Sequence, residues 1–170
     1  MAEMRIISLW QPWASLIPGG FKLYETRSWH TPYRGKLVIH AAARPMSDKD
    51  GSITSIAVAL HNARPERSPE QWYRKIASYP LGCIVAIADL ADCLEMIDPR
   101  QGRVHSYARA IDSVSDLERA VGDWSHGRYA WQLANIIALP QPIPHKGRQG
   151  LRWLEAEVAE KVLSGVGGDR

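Results

Sequence analysis

Hydrophobic and polar positions follow two rhythms along the chain, a period of two typical of strands and a period near 3.6 typical of helices. Met4 to Leu9 is a short apolar run that reads as a strand. Gln11-Pro12-Trp13 then opens a helix with Pro at its first position, where the missing N–H costs nothing, and Pro18-Gly19-Gly20 stops it. Phe21 to Trp29 alternates, with Phe21, Leu23, Glu25, Arg27 and Trp29 on one side, and predicts a strand whose charged faces line a cleft at one end. After the turn chemistry of Thr31-Pro32-Tyr33-Arg34-Gly35, Lys36 to Ala41 reads as another strand, placing His40 on the side of Lys36.

Two helices follow. Ser47-Asp48-Lys49-Asp50 resembles a capping box ahead of an Ile53, Ile56, Ala57, Leu60 stripe, and Ser68-Pro69-Glu70-Gln71 caps a second helix carrying Trp72 and Ile76. Gly82 to Leu90 is nearly continuous apolar, the pattern of a strand buried on both faces. Residues 96–127 are more polar and read as a surface excursion, with a short helix at Ser115-Asp116-Leu117-Glu118. Tyr129 to Leu139 predicts one strand or two, and Pro140, Pro142 and Pro144 exclude a central strand beyond it. His145 to Gly150 is a basic loop. A last helix from Leu151 to Leu163 ends at Gly165.

Strands interleaved with helices without regular alternation argue for an α+β domain on a small mixed sheet or barrel. With 170 residues, 45% hydrophobic and 23% charged, one globular unit is expected over 1–164, with 165–170 a flexible tail. No apolar run approaches a membrane span and the first residues lack the pattern of a signal peptide. Cys83 and Cys93 cannot form a disulfide framework or a zinc motif, so a cytoplasmic location is expected. Oligomeric state is not legible from these features.

The net charge of +3 permits an anionic partner without demanding one. Its distribution is more telling. Lys22, Arg27, Arg34, Lys36 and Arg44 face a single acid, Glu25, between positions 22 and 44. Arg128, Lys146, Arg148 and Arg152 face none between 124 and 154. If the two stretches meet they form a surface suited to phosphate; otherwise they are separate solvated faces. Seven Trp and six Tyr stand against one Phe, so most large rings carry a polar handle and serve either as core or as stacking platforms. Trp72, Trp131 and Trp153 fall in periodic apolar segments and are expected in the core, whereas Trp10, Trp13 and Trp29 are open to either role.

Neither a dinucleotide fingerprint nor a P-loop occurs, and no cofactor is expected. The six histidines, His30, His40, His61, His105, His126 and His145, lack metal-ligand spacing, so no metal is expected either. The chemistry-bearing cluster is Gly20-x-Lys22-x-x-Glu25-x-Arg27. In a regular pleat Lys22 and Glu25 point to opposite faces, while Glu25 and Arg27 share one and can pair as a structural ion pair. In the functional alternative Lys22 faces a cavity, where it holds a phosphate or, stripped of water, acts as base or nucleophile, with Glu25 as acid/base group or orienter of a water.

Ser8-Leu-Trp-Gln-Pro-Trp-Ala-Ser15, Gly20-Phe-Lys-Leu-Tyr-Glu-Thr-Arg-Ser-Trp29, Thr31-Pro-Tyr-Arg-Gly-Lys36 and Gly82-Cys-Ile through Cys93 closely resemble the ASCH domain family, and Pro144-His-Lys-Gly147 with Leu151-Arg-Trp153 resembles its closing segment. The resemblance implies a PUA-like fold, a small mixed β-barrel flanked by helices, with a cleft between the barrel and the first helix. It also implies a nucleic-acid partner, RNA before DNA. Lys22, Arg27, Arg34, Lys36, Lys146 and Arg148 are then the expected nucleic-acid contacts, and Trp10, Trp13 and His40 the groups that stack on or contact a base. A bacterial branch of the family acts on acylated cytidine or on RNA through a Lys, a Thr and a Glu. Lys22 matches the Lys, Glu25 occupies the Thr position, and Gly82 to Leu90 offers no Glu, Asp89 being the nearest carboxylate. The alternative implied is therefore a hydrolase of RNA or a modified nucleoside using Lys22 and Glu25 in the same cleft.

Overall fold

The computed structural model describes residues 3–98, 103–106, 109–111 and 114–167. Its strands are β1 (Arg5–Leu9), β2 (Tyr24–Arg27), β3 (Gly35–Ala41), β4 (Cys83–Asp98), β5 (Arg103–Ser106), β6 (Arg109–Ile111), β7 (Tyr129–Pro144) and β8 (Leu151–Trp153). The helices are α1 (Trp13–Leu16), α2 (Ser52–Ala63), α3 (Pro69–Ala77), α4 (Asp116–Ala120) and α5 (Ala156–Gly167). The architecture is the expected mixed α+β, with one sheet in the order β2-β7-β4-β3-β1-β8 and β5 and β6 added beside the outer part of β4. β1 and β3 are parallel, and the other pairings are antiparallel. The expected barrel is not formed: β2 and β8 are the two ends of the path and do not pair with each other among the described residues.

Both faces of the central strands are buried. Ile7, Leu37, Ile39, Val85 and Leu90 pack with Ala14 and Ile17 around α1, while Ile6, Val38, Ile84 and Ile87 pack with Leu154, Ala159 and Val162 along α5. The nearly unbroken apolar run of β4 thus serves two cores at once, as a doubly covered strand requires. A third cluster joins Leu16 to Ile53, Ile56 and Leu60 of α2, Trp72 and Ile76 of α3, and Val121 just past α4.

Several elements depart from the sequence pattern, each for a local reason. Phe21 and Lys22 are not in a strand: their amides both bond to the Leu16 carbonyl, at 3.0 and 3.2 Å, closing the turn after α1. The Ser68 capping box forms as expected, with Gln71 as its partner. The expected box at Ser47 does not, because α2 begins only after left-handed Gly51, and Asp48 reaches forward to the amides of Ile53 and Thr54 at 2.7 and 3.2 Å. β7 continues through Pro140, Pro142 and Pro144 instead of ending. β2 pairs only with Tyr129 to Gln132, and beyond Leu133 that side of β7 has no strand partner among the described residues, so proline's missing donor is tolerated there.

The expected helix from Leu151 also gives way to tertiary pairing, since Leu151 to Trp153 form β8 against β1. α5 starts at Ala156 and passes through Gly165 to Gly167, and the remainder of the expected tail lies outside the described residues. Trp72 and Trp131 are core, but Trp153 is 53% exposed, with the Arg5 guanidinium 3.7 Å from its ring centre. No helix among the described residues is long and apolar enough to cross a membrane.

Candidate functional site

A cleft of about 940 Å³ opens where the β1–α1 junction, β2, the segment after α4 and the loop after β7 converge. Its volume lies at the upper end of the range typical of small-molecule and cofactor pockets. Lys22 and Glu25 are among its buried lining residues. Lys22, 1% exposed, donates from Nζ to the Val121 carbonyl at 2.9 Å and stands 3.6 Å from Glu25 Oε2. Arg27 Nη1 lies 3.5 Å from the other Glu25 oxygen. Because Lys22 belongs to the turn before β2 and escapes the strand pleat, it and Arg27 approach Glu25 together. The two alternatives for Glu25 therefore coexist: it faces the cleft and is held between two cations.

The segment from Ser115 to Asp123 builds one wall. Ser115 caps α4, accepting the Glu118 amide at 3.1 Å. Glu118 is buried and accepts the Leu23 amide, fixing the entry to β2. Burial holds its carboxyl above the usual carboxylate range, opposed first by the Leu23 amide bond and then by the charge of Lys22. The Asp123 amide donates to Thr26 Oγ1 at 2.9 Å. Gly122 permits this closeness, since a Cβ there would meet Trp124 Nε1 at 2.8 Å and Thr26 Cγ2 at 3.2 Å. The surface excursion expected for 96–127 is thus in part a site wall; its residues 99–102, 107–108 and 112–113 lie outside the described ones.

The opposite wall is the loop 145–150. The His145 amide bonds to the Gly82 carbonyl at 3.0 Å, and His40, fully buried, joins its Nε2 to the His145 carbonyl at 2.9 Å and its Nδ1 to Ser8 Oγ at 3.0 Å. Burial lowers the His40 pKa, with the His145 carbonyl bond working against it. This loop contributes Lys146 and Arg148 to the cleft. Neither has a carboxylate partner among the described residues, whereas Arg128 pairs with Asp123 at 3.2 Å. Trp10, Trp13 and Trp29 also line the cleft. Trp10 is 55% exposed with the Arg44 guanidinium 4.0 Å from its ring centre.

The two basic stretches therefore meet, but not with every expected member. Lys22 and Arg27 join Lys146 and Arg148, together with Trp10, Trp13 and His40. Arg34 and Lys36 do not: they sit at the far end of β3, tied to Asp92 at 2.9 Å and Asp89 at 2.7 Å by the neighbouring β4. Asp89, the nearest carboxylate in that strand, is held below its usual range by Lys36 and then by Asn135, outside the cleft. Sequence reasoning missed Glu118, the Val121 carbonyl and Asp123, and counted Arg128 only as a member of the second basic stretch. The cap at Ser115 announced the helix, but nothing local announced where it docks. Among the described residues no cluster of His, Cys, Asp and Glu is placed to hold a metal ion.

Comparison with known proteins agrees with this architecture. The ASCH domain model matches residues 7–143. Over 88 residues the chain is 39% identical to human Activating signal cointegrator 1 and 38% identical to the mouse protein, which is 52% of this chain and 14% of each relative. The chain thus spans a minor part of the curated relatives it matches. Among solved structures, ASCH from Zymomonas mobilis superposes with a TM-score of 0.53 at 19% identity, covering 95% of this chain and 94% of that one. A single-substitution variant of the same protein gives 0.53 at 18% identity, covering 96% and 98%. At such identities the likeness is one of fold, while the family model spans well over half the sequence, and on that match the chain belongs to the ASCH domain family.

Proposed function

We propose that the protein binds single-stranded nucleic acid, RNA in preference to DNA, with a base drawn into the cleft and the flanking phosphates on its rim. One observation carries the reading: basic residues far apart in sequence, Lys22 and Arg27 on one side and Lys146 and Arg148 on the other, surround a pocket furnished with indole rings. Phosphates take the exposed cations, and Trp10, pinned on one side by Arg44, offers a ring for stacking. The ammonium of Lys22 has three donors and spends one on Val121, so another is available to a base acceptor. The family's association with nucleic acids points the same way.

Hydrolysis of RNA or a modified nucleoside is a second reading, favoured by the nearness of Lys22 to Glu25. Against it, Lys22 donates to a carbonyl and Glu25 stands between two cations, an arrangement that suits holding a ligand in place better than turning it over. Anisotropy of an end-labelled single-stranded RNA decides between them. A stable rise is expected, with a log-log salt slope of about −1.4 to −2.8 for two to four phosphate contacts on a single strand. A rise that decays below its starting value would establish cleavage instead, and no change would overturn both for RNA.

A further inference from the structure

We infer that His40 is the positioning residue of this cleft: it seats the loop 145–150 so that Lys146 and Arg148 face the ligand, and does not itself touch a base. The inference rests on the nucleic-acid reading and assigns His40 a different role within it.

Both ring nitrogens of His40 are occupied within the protein, Nε2 by the His145 carbonyl and Nδ1 by Ser8 Oγ. A neutral ring meets these partners with one tautomer, Nε2 donating and Nδ1 accepting the hydroxyl proton, and has no polar atom left to read a base edge. The loop lies directly on the ring. A Cβ added at Gly147 would fall 2.4 Å from His40 Cε1, 2.7 Å from Nδ1 and 2.8 Å from Ser8 Oγ. Only a glycine allows the backbone to descend that far, and Gly147 sits between the two cations in question. The loop is also tied at its start by the His145 amide to Gly82 and near its end by Arg152 Nε, which donates to the Gln149 carbonyl at 3.1 Å; among the described residues no ion pair of Lys146 or Arg148 holds its middle. Between those ties the seating of Lys146 and Arg148 depends on a buried imidazole that has no hydrogen bond to either side chain.

The test uses the whole chain, a fluorescein-labelled single-stranded 12-residue RNA, and four proteins: wild type, His40→Ala, His40→Gln and Gly147→Ala. His40→Gln keeps an amide donor that can reach the His145 carbonyl; Gly147→Ala leaves His40 intact and changes an exposed loop, guarding against a folding failure. His40→Ala and Gly147→Ala are expected to flatten the salt slope by about 1.4, the share of two single-strand phosphate contacts. His40→Gln should retain most of it. Loss of folded protein alone would lower the binding capacity and leave the slope as it was. In the free proteins, hydrogen exchange at the His145 amide should accelerate in His40→Ala and Gly147→Ala while the amides of β3 stay protected. Unchanged exchange would overturn the seating role, and faster exchange with an unchanged slope would overturn its link to the ligand. If wild type itself fails to bind, the functional reading falls, and with it the role assigned here. Binding by wild type with identical slopes in all variants sinks only the inference about His40.

Discussion

Glu118 shows how one side chain joins the site to the stability of the fold. Its carboxyl receives the Leu23 amide in a buried position, and that burial raises its pKa from the ordinary 4.5. A raised pKa means the folded chain binds the proton more readily than the unfolded one, so stability is fullest below 4.5 and declines as pH rises through the raised value. Glu118→Gln keeps an acceptor for Leu23 without the charge. Its stability relative to wild type should therefore climb from pH 4 to neutrality, as read in denaturant melts at several pH values; a constant difference would refute the linkage. Glu118→Ala strands the Leu23 amide and should cost about 1 to 3 kcal/mol at acid pH, where the carboxyl is neutral, and less as pH rises. His40 works in the opposite sense. Its pKa is lowered from 6.5, the unfolded chain takes up the proton first, and stability falls as pH drops below that value.

Among elements, those whose signals are local were legible and those fixed by distant partners were not. The Ser68 box and the Ile53, Ile56, Leu60 stripe specify α3 and the buried face of α2 within a few residues of sequence. Ser68→Ala should cost about 1 kcal/mol, measurable as a lower melting midpoint. By contrast, the spacing of Leu151, Leu154, Val158 and Val162 fits a helix throughout, yet β1 offered an open edge and Leu151 to Trp153 took it. Leu154, Val158 and Val162 still converge on one cluster, so the burial pattern survives the change of element. The candidate site divides in the same way. Lys22, Glu25, Arg27 and the indoles were visible as types in a compact segment. The wall built by Glu118, Val121 and Asp123 was not, because its contacts with Lys22, Leu23 and Thr26 span some ninety-five to ninety-nine residues. Asp89 and Asp92 likewise claim Lys36 and Arg34 only once β4 lies beside β3.

At the scale of the whole molecule, the chain carries a net charge of +3, and one cleft brings together Lys22, Arg27, Arg128, Lys146 and Arg148. Binding should accordingly be local and saturable at one site. Trp10→Ala should weaken single-stranded RNA by about 1 to 3 kcal/mol, with little change in salt slope. Trp153→Ala, an equally exposed ring that is not among the cleft's lining residues, should leave affinity unchanged in the same titration. An open sheet carries a hazard that a closed barrel avoids. Beyond Leu133, whose amide bonds to the Leu23 carbonyl, β7 presents one side with no strand beside it among the described residues, and such an edge is a template on which a second chain can add. Pro140, Pro142 and Pro144 remove three amide donors from the end of that strand, where its pairing with β4 is interrupted between Ala138 and Ile143. Replacing the three with Thr would restore three donors to that end of the strand. Such a variant should keep its fold at low concentration but grow in size by dynamic light scattering as it is concentrated. The prolines at the end of β7 thus act as guards of colloidal solubility, keeping copies of the protein from zipping together edge to edge.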